Sequence, residues 1–167
     1  VGLEDDQLTA LGQATDVAKL SRADIAACIA NGGTGATTVA ATMIAARLAD
    51  IHVFATGGIG GVHKGAEESF DISADLHELA QTPVIVVAAG AKAILDLNKT
   101  YEVLETLGVP VIAYGQGQLP AFWSATSDMA APLRMDSAAQ IAKAHAMRRA
   151  MDIVGGQLIA NPIPAAD

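Results

Sequence analysis

The run Val84-Ile85-Val86-Val87-Ala88-Ala89, passing into Gly90-Ala91-Lys92, decides the fold. Six apolar residues with no polar alternation read as a strand buried on both faces, the habit of a parallel sheet covered by helices on each side. Pro83 ends what precedes it and Gly90 ends the strand itself. Just upstream, a helix fits Ser73 or Ala74 through Ala80. Behind the strand, Asn98 is expected to cap a helix from Lys99 to Leu107 that Gly108 closes, and Val109 to Tyr114 repeats the strand pattern. Upstream, an Ala-rich helix, Val39 to Leu48, leads straight into a strand, Ile51 to Ala55. Downstream, a loop from Gly115 to Pro132 precedes a helix from Asp136 or Ser137 to about Val154, then Gly155-Gly156 and a last strand, Leu158 to Ala160. At the amino end the pattern gives a helix Glu4 to Gln13, a short strand Val17 to Leu20, and a helix capped by Ser21 that runs through Ile29. This alternation predicts the α/β class, as an α/β/α sandwich around a central, largely parallel or mixed β-sheet.

Composition narrows the function. The 167 residues suit a single α/β domain, and a chain that is 51% hydrophobic and 17% charged has the means to bury a core. A net charge of -8, from 18 acidic and ten basic residues, argues against nucleic acid as a partner. With one Trp, two Tyr and three Phe, an aromatic platform for single strands is disfavoured. The longest apolar runs fall well short of the roughly 20 residues that cross a bilayer, so no membrane is expected. The lone Cys28 reads as a small core residue and, with no disulfide partner, points to the cytoplasmic compartment.

In an open α/β sheet, ligands bind outside the carboxyl ends of the strands, so the loops after Ala55, Ala89, Tyr114 and Ala160 are where chemistry is sought. The first, Thr56-Gly57-Gly58-Ile59-Gly60-Gly61-Val62-His63-Lys64-Gly65, offers backbone N–H groups to an anion. It is not a dinucleotide fingerprint, because His63 occupies the third glycine position. In Glu67-Glu68-Ser69-Phe70-Asp71-Ile72-Ser73-Ala74-Asp75, oxygen donors precede a helix. They suit Mg²⁺ or Mn²⁺ and a polar substrate, or they simply cap the helix and solvate its face. Lys92, at the end of the apolar strand, is placed for an amine at a pocket mouth, where desolvation would leave it a nucleophile for Schiff-base chemistry; the alternative is a surface lysine. Lys19, at the end of the first strand, carries the same ambiguity, with anion binding as its functional version. His63 suits acid/base work or ligation, whereas His52, His77 and His145 fall in element patterns and read as structural. No His-Cys spacing fits zinc, and no Gly-x-Ser-x-Gly elbow occurs.

Five runs, Gly35 to Met43, Phe54 to His63, Asp71 to Asp75, Ala88 to Leu97 and Ala160 to Pro164, closely resemble the pseudouridine-5'-phosphate glycosidases (pseudouridylate synthases) of the indigoidine-synthase A family. The resemblance covers nearly the whole chain. It implies reversible cleavage of the C–C glycosidic bond of pseudouridine 5'-phosphate to uracil and ribose 5-phosphate, with a divalent metal, usually Mn²⁺, in a homotrimer. By the same match the nucleophilic lysine falls on Lys92 and the metal carboxylate on Asp71. Substrate contacts fall on Lys19, Val39, Ser73, Ala74 and Asp75, and His63 lies in a loop used at the site. The family's proton-donating glutamate and a further asparagine lie outside these residues, and Asn161 is not that asparagine. The chain is therefore expected to be the central part of a longer family domain lacking both ends. A catalytically incomplete fragment that binds sugar phosphate, or that contributes structure to an assembly, is the alternative.

Overall fold

In a computed structural model that describes residues 2–164, seven helices and seven strands follow one another along the chain. Helix α1 (Asp5–Gln13) leads to strand β1 (Ala18–Leu20), helix α2 (Ile25–Ala30) and strand β2 (Gly35–Thr37), and the two strands pair in parallel. Helix α3 (Val39–Leu48) precedes β3 (Val53–Ala55); α4 (Ala66–Ser69) and α5 (Ala74–Gln81) precede β4 (Ile85–Ala88). Helix α6 (Leu97–Thr106) precedes β5 (Val111–Tyr114), and β6 (Leu133–Met135), α7 (Ala138–Ala150) and β7 (Gln157–Ala160) complete the order. The five strands from β3 onward form one sheet in the order β3-β4-β7-β5-β6. Every pairing in it is parallel.

Side-chain alternation along these strands sorts the core into two layers. Val86, Ala88, Val111, Ala113, Leu158 and Ala160 meet Met43 of α3, Leu76 and Leu79 of α5, and Leu104 of α6. Ile85, Ile112 and Ile159, one residue out of phase, meet Ile141 of α7. Both faces of the central strands are thus buried, which is why the decisive run is continuously apolar. The second layer is thinner. Beside α7 a groove of about 440 Å³, lined by Val53, Ile85, Val87, Tyr114 and Ile159 among others, leaves the β3 side of the sheet open.

The entry to β7 depends on two glycines. Gly155 has φ +86°, and a Cβ on Gly156 would overlap the Val84 carbonyl oxygen, while the Gly156 N–H donates to the Leu79 carbonyl at 2.8 Å. Rigid backbone cannot yield as a flexible side chain does, so Gly156→Ala is expected to lower unfolding free energy by ~1–3 kcal/mol, read from urea denaturation. A wild-type midpoint would contradict the packing described.

Several boundaries differ from the sequence expectation. Asp96, not Asn98, caps α6: its Oδ1 accepts the Lys99 N–H at 3.1 Å. Ser21 does not open α2; its N–H donates to Asp24 Oδ2 at 2.9 Å, making a turn first, and the helix starts at Ile25. Helix α7 ends at Ala150, well short of Val154, because Asp152 takes a left-handed φ of 55°. Strands β2 and β6 and the single-turn α4 were not anticipated. Gly-Ala-Thr and Leu-Arg-Met are too short for periodicity to register.

Candidate active site

The glycine loop extends the sheet past its end. The Ile59 N–H donates to the Gly90 carbonyl and the Lys92 N–H to the Ile59 carbonyl, each at 3.1 Å, and the Ala89 N–H reaches the Gly57 carbonyl at the same distance. Ile59 is fully buried and anchors the loop in the core. The flanking glycines permit close approach on the other side. A Cβ on Gly58 would lie 2.6 Å from the Phe122 ring, and one on Gly60 would lie 2.8 Å from Asp75 Oδ2. Farther along, the Val62 N–H donates to Thr100 Oγ1 at 2.9 Å, the Ser73 N–H to the Gly61 carbonyl at 2.9 Å, and the His63 N–H to the Asp71 carbonyl at 3.0 Å. One hydrogen-bonded layer therefore carries Lys92, His63, Asp71 and Ser73. A cleft of about 230 Å³ opens beside it, between Thr56-Gly57, Ala89 and Asn161 to Pro164.

Asp75 ties this layer to the amino-terminal part of the chain. Its carboxylate is buried and accepts the Ala40 N–H through Oδ1 and the Gly60 N–H through Oδ2, both at 2.8 Å. Ala40 lies in the first turn of α3, where N–H groups lack intrahelical acceptors. Thr38, the cap of that helix, donates its N–H to the Leu20 carbonyl at 2.8 Å. An unbroken path of bonds therefore runs from the strand that carries Lys19, past Val39, to Gly60. A second tie joins the same two parts. Glu78, 1% exposed, accepts Arg22 Nε at 2.6 Å and Nη2 at 2.7 Å, and it also bonds Thr82. This pairing holds the Arg22 guanidinium above its ordinary pKa.

The remaining candidates are placed as follows. Ser73 caps α5, its Oγ accepting the Asp75 N–H at 3.2 Å, and Ala74 is the exposed first residue of that helix. Val39 is the half-buried first residue of α3. Asp71 is exposed, with Oδ2 at 3.9 Å from Nδ1 of His63. Lys92 is exposed, so the expected amine within an apolar pocket mouth is not met by this chain's own atoms. Lys19 lines a separate groove of about 460 Å³ with Asp16, Asp24 and Cys28. Cys28 is accordingly half-buried beside Gly33 and not in the core. His52 and His77 are exposed, His77 within α5; His145 is half-buried, and burial, with Arg149, His52 and Arg148 nearby, lowers its pKa.

Among the described residues no three His, Cys, Asp or Glu side chains converge as a metal cage. The donor set still fits a hard, water-rich cation, which is commonly held by one or two carboxylates with waters filling the shell. Asp71, exposed and beside His63, is the carboxylate so placed.

Three groups escaped the sequence reading. Thr100 supports the loop from α6, and Phe122 and Trp123 come from the long loop after β5. The third is the pairing of Lys99 with Asp96 and with Glu67, the last read in sequence only as an oxygen donor or part of a solvated face; it fastens α4, just ahead of Asp71, to α6, with Lys99 Nζ 2.8 Å from Glu67 and 3.1 Å from Asp96. The Lys99 side chain holds the Glu67 carboxyl below its ordinary value. The Lys99 backbone N–H and then its ammonium do the same for Asp96, and the two carboxylates hold Lys99 above its ordinary value. The stabilisation is therefore full above the ordinary carboxylate range and is lost as pH falls through the lowered values; on the alkaline side it is lost as pH rises through the raised Lys99 value. Lys99 and Glu67 are exposed and Asp96 is half-buried, so the effect is small. In melting curves, a deficit of Lys99→Met relative to wild type at neutral pH is expected to close in acid; a deficit independent of pH would contradict the assignment.

Beneath Gly90, the Tyr101 hydroxyl is buried, with the Ala91 backbone beside it but no partner at full hydrogen-bond geometry among the described residues. Burial pushes its pKa up, offset only in part by the Ala91 backbone. Removing an unpaired buried hydroxyl relieves a desolvation penalty, so Tyr101→Phe is expected to be neutral or stabilising by up to ~1 kcal/mol in denaturant unfolding. A clear loss would reveal a partner for the hydroxyl.

Comparison with known proteins gives one consistent result. The family model described as indigoidine synthase A like protein matches residues 1–167. The pseudouridine-5'-phosphate glycosidase of Jannaschia sp. (strain CCS1) is 72% identical over 164 residues, which cover 98% of this chain and 54% of that protein. The protein of the same description from Roseobacter denitrificans is 72% identical over 167 residues, covering 100% and 54%. Among solved structures, the prealnumycin C-glycosynthase AlnA in complex with ribulose 5-phosphate superposes with a TM-score of 0.95 at 41% identity, over 99% of this chain and 54% of that one. An indigoidine synthase A (IdgA)-like protein from Thermotoga maritima gives 0.91 at 32% identity, over 98% and 55%. The chain spans about half the length of the curated relatives it matches.

Proposed function

The chain belongs to the indigoidine synthase A like protein family, and from this we propose that it carries the central machinery for reversible cleavage of the C–C glycosidic bond of pseudouridine 5'-phosphate, giving uracil and ribose 5-phosphate, in a homotrimer. The observation that carries the reading is the placement of Lys92 on the hydrogen-bonded layer with His63, Asp71 and Ser73, in a chain so similar to proteins of that description. A C-glycoside has no heteroatom leaving group for a pair of carboxylates to protonate, so ordinary glycosidase chemistry is poorly suited to it. A lysine solves the problem. The Lys92 amine attacks C1' of the sugar, O4' departs with a proton and the ring opens. The nitrogen lone pair then forms C=N while the C1'–C5 electron pair leaves on uracil, whose C5 takes a proton, and water hydrolyses the imine to release ribose 5-phosphate.

His63 is the group on this chain suited to carry a proton in that sequence. Ser73, at the start of α5, and Lys19 would bind the anionic sugar phosphate, with Val39 and Ala74 shaping the contact and Asp75 fixing the loop. Asp71 would hold a divalent ion, Mn²⁺ or Mg²⁺, which when bound orients water and polarises substrate oxygens. Release of uracil from pseudouridine 5'-phosphate by the 167-residue chain in the presence of Mn²⁺, followed chromatographically, is the expected result. Sugar-phosphate binding without uracil would favour the second reading, a binding fragment.

A further inference from the structure

We infer that Trp123, braced by Phe122, is the platform on which the nucleobase of the substrate stacks; this rests on the reaction proposed above. The loop after β5 folds back onto the glycine layer and is bonded to it. The Phe122 N–H donates to the Ala89 carbonyl at 3.1 Å, and its ring fills the space beside Gly58 that a Cβ would occupy. The Ala121 N–H donates to the Ser124 carbonyl at 2.9 Å and the Trp123 N–H to the Ala121 carbonyl at 2.7 Å, closing a tight turn. Phe122 takes a left-handed φ of 62°, a conformation that bulky residues avoid and that persists only where surrounding contacts impose it.

The product of this strain is an indole that is 76% exposed, set edge-to-face against Phe122 with ring centroids 4.5 Å apart. Phe122 is anchored on Ala89, a residue that lines the cleft at the strand ends and lies three positions ahead of Lys92. A base joined directly to the sugar carbon that reacts with the Lys92 amine lies about one ring away from that amine. It therefore needs a surface in the same loop layer. A pyrimidine presents a π-face to such a surface, and a large, pre-positioned aromatic binds it with little loss of side-chain freedom.

Trp123 is the single tryptophan of the chain, so its fluorescence reports on it alone. In Lys92→Ala protein, which cannot capture the sugar covalently, pseudouridine 5'-phosphate is expected to quench this fluorescence saturably, whereas ribose 5-phosphate binds without quenching. Adding Trp123→Ala should weaken pseudouridine 5'-phosphate binding by about tenfold in calorimetry and leave ribose 5-phosphate binding unchanged, with Trp123→Phe restoring most of the loss. Calorimetric binding of pseudouridine 5'-phosphate with no quenching, or with equal affinity in Trp123→Ala, overturns the platform while leaving the reaction intact. Failure of both ligands to bind overturns the reaction, and the platform with it.

Discussion

Lys92→Ala is expected to lower uracil release by ~10⁴-fold or more, since removing the nucleophile of a covalent mechanism leaves only binding and the remaining polarising groups. The fold should survive. The structural role of this residue lies in its backbone, whose N–H bonds the Ile59 carbonyl and whose carbonyl accepts the Leu95 N–H, and alanine keeps both bonds. The melting temperature should therefore stay within ordinary surface-substitution limits while activity disappears. Lys92→Arg separates charge from nucleophilicity, because a guanidinium retains the positive charge but does not form an imine. Its activity should be as low as that of the alanine variant. Turnover within tenfold of wild type in Lys92→Arg alone would mean that Lys92 serves only to attract the phosphate, and the same turnover in Lys92→Ala would mean that the residue has no part in the reaction.

Asp75 should give the largest loss of stability in the site. Its carboxylate is buried and bonds two backbone N–H groups from different segments. Asp75→Ala leaves the Ala40 and Gly60 amides without that acceptor, and hydrogen bonds to charged groups are worth roughly 1.5–3 kcal/mol each, so a loss of ~3 kcal/mol or more is expected in urea unfolding. Asp75→Asn is nearly isosteric yet should also destabilise, by ~1–3 kcal/mol, because one oxygen becomes an amide that faces a second donor. In both variants the Gly60 amide should lose protection in hydrogen exchange. Retained protection with less than ~1 kcal/mol lost would show that the loop is held by other bonds. Asp75 thus acts through the position of the glycine loop and the first turn of α3.

The central strands were legible because their burial on two faces leaves a run of apolar residues that no other element explains; Val86 and Ile85 reach opposite layers of the core from adjacent positions. The edges were not. β6 pairs only with β5, and its Leu-Arg-Met sequence alternates over too few residues to distinguish a strand from a loop. The site divides in the same way. Lys92 and the glycine loop stand out in sequence because they sit at the ends of strands, where ligands of α/β sheets gather. Ser73 was legible as a cap, whereas the two bonds of Asp75 link positions 35 and 15 residues away, a separation no local pattern records. Trp123 was hidden for a similar reason: nothing near it in sequence shows that its loop folds back onto Ala89 and Gly58. A scarcity of aromatics, read as evidence against a stacking surface for nucleic acid, does not bear on a single indole placed at the site.

Covalent capture would show which lysine forms the imine. Incubating the chain with ribose 5-phosphate and borohydride should reduce the imine to a stable secondary amine and add the pentose phosphate to one peptide. Fragmentation should locate the added mass on Lys92, and Lys92→Ala protein should remain unlabelled. Labelling that is spread over the exposed lysines, or that persists undiminished in Lys92→Ala, would contradict the assignment of Lys92 as the Schiff-base lysine.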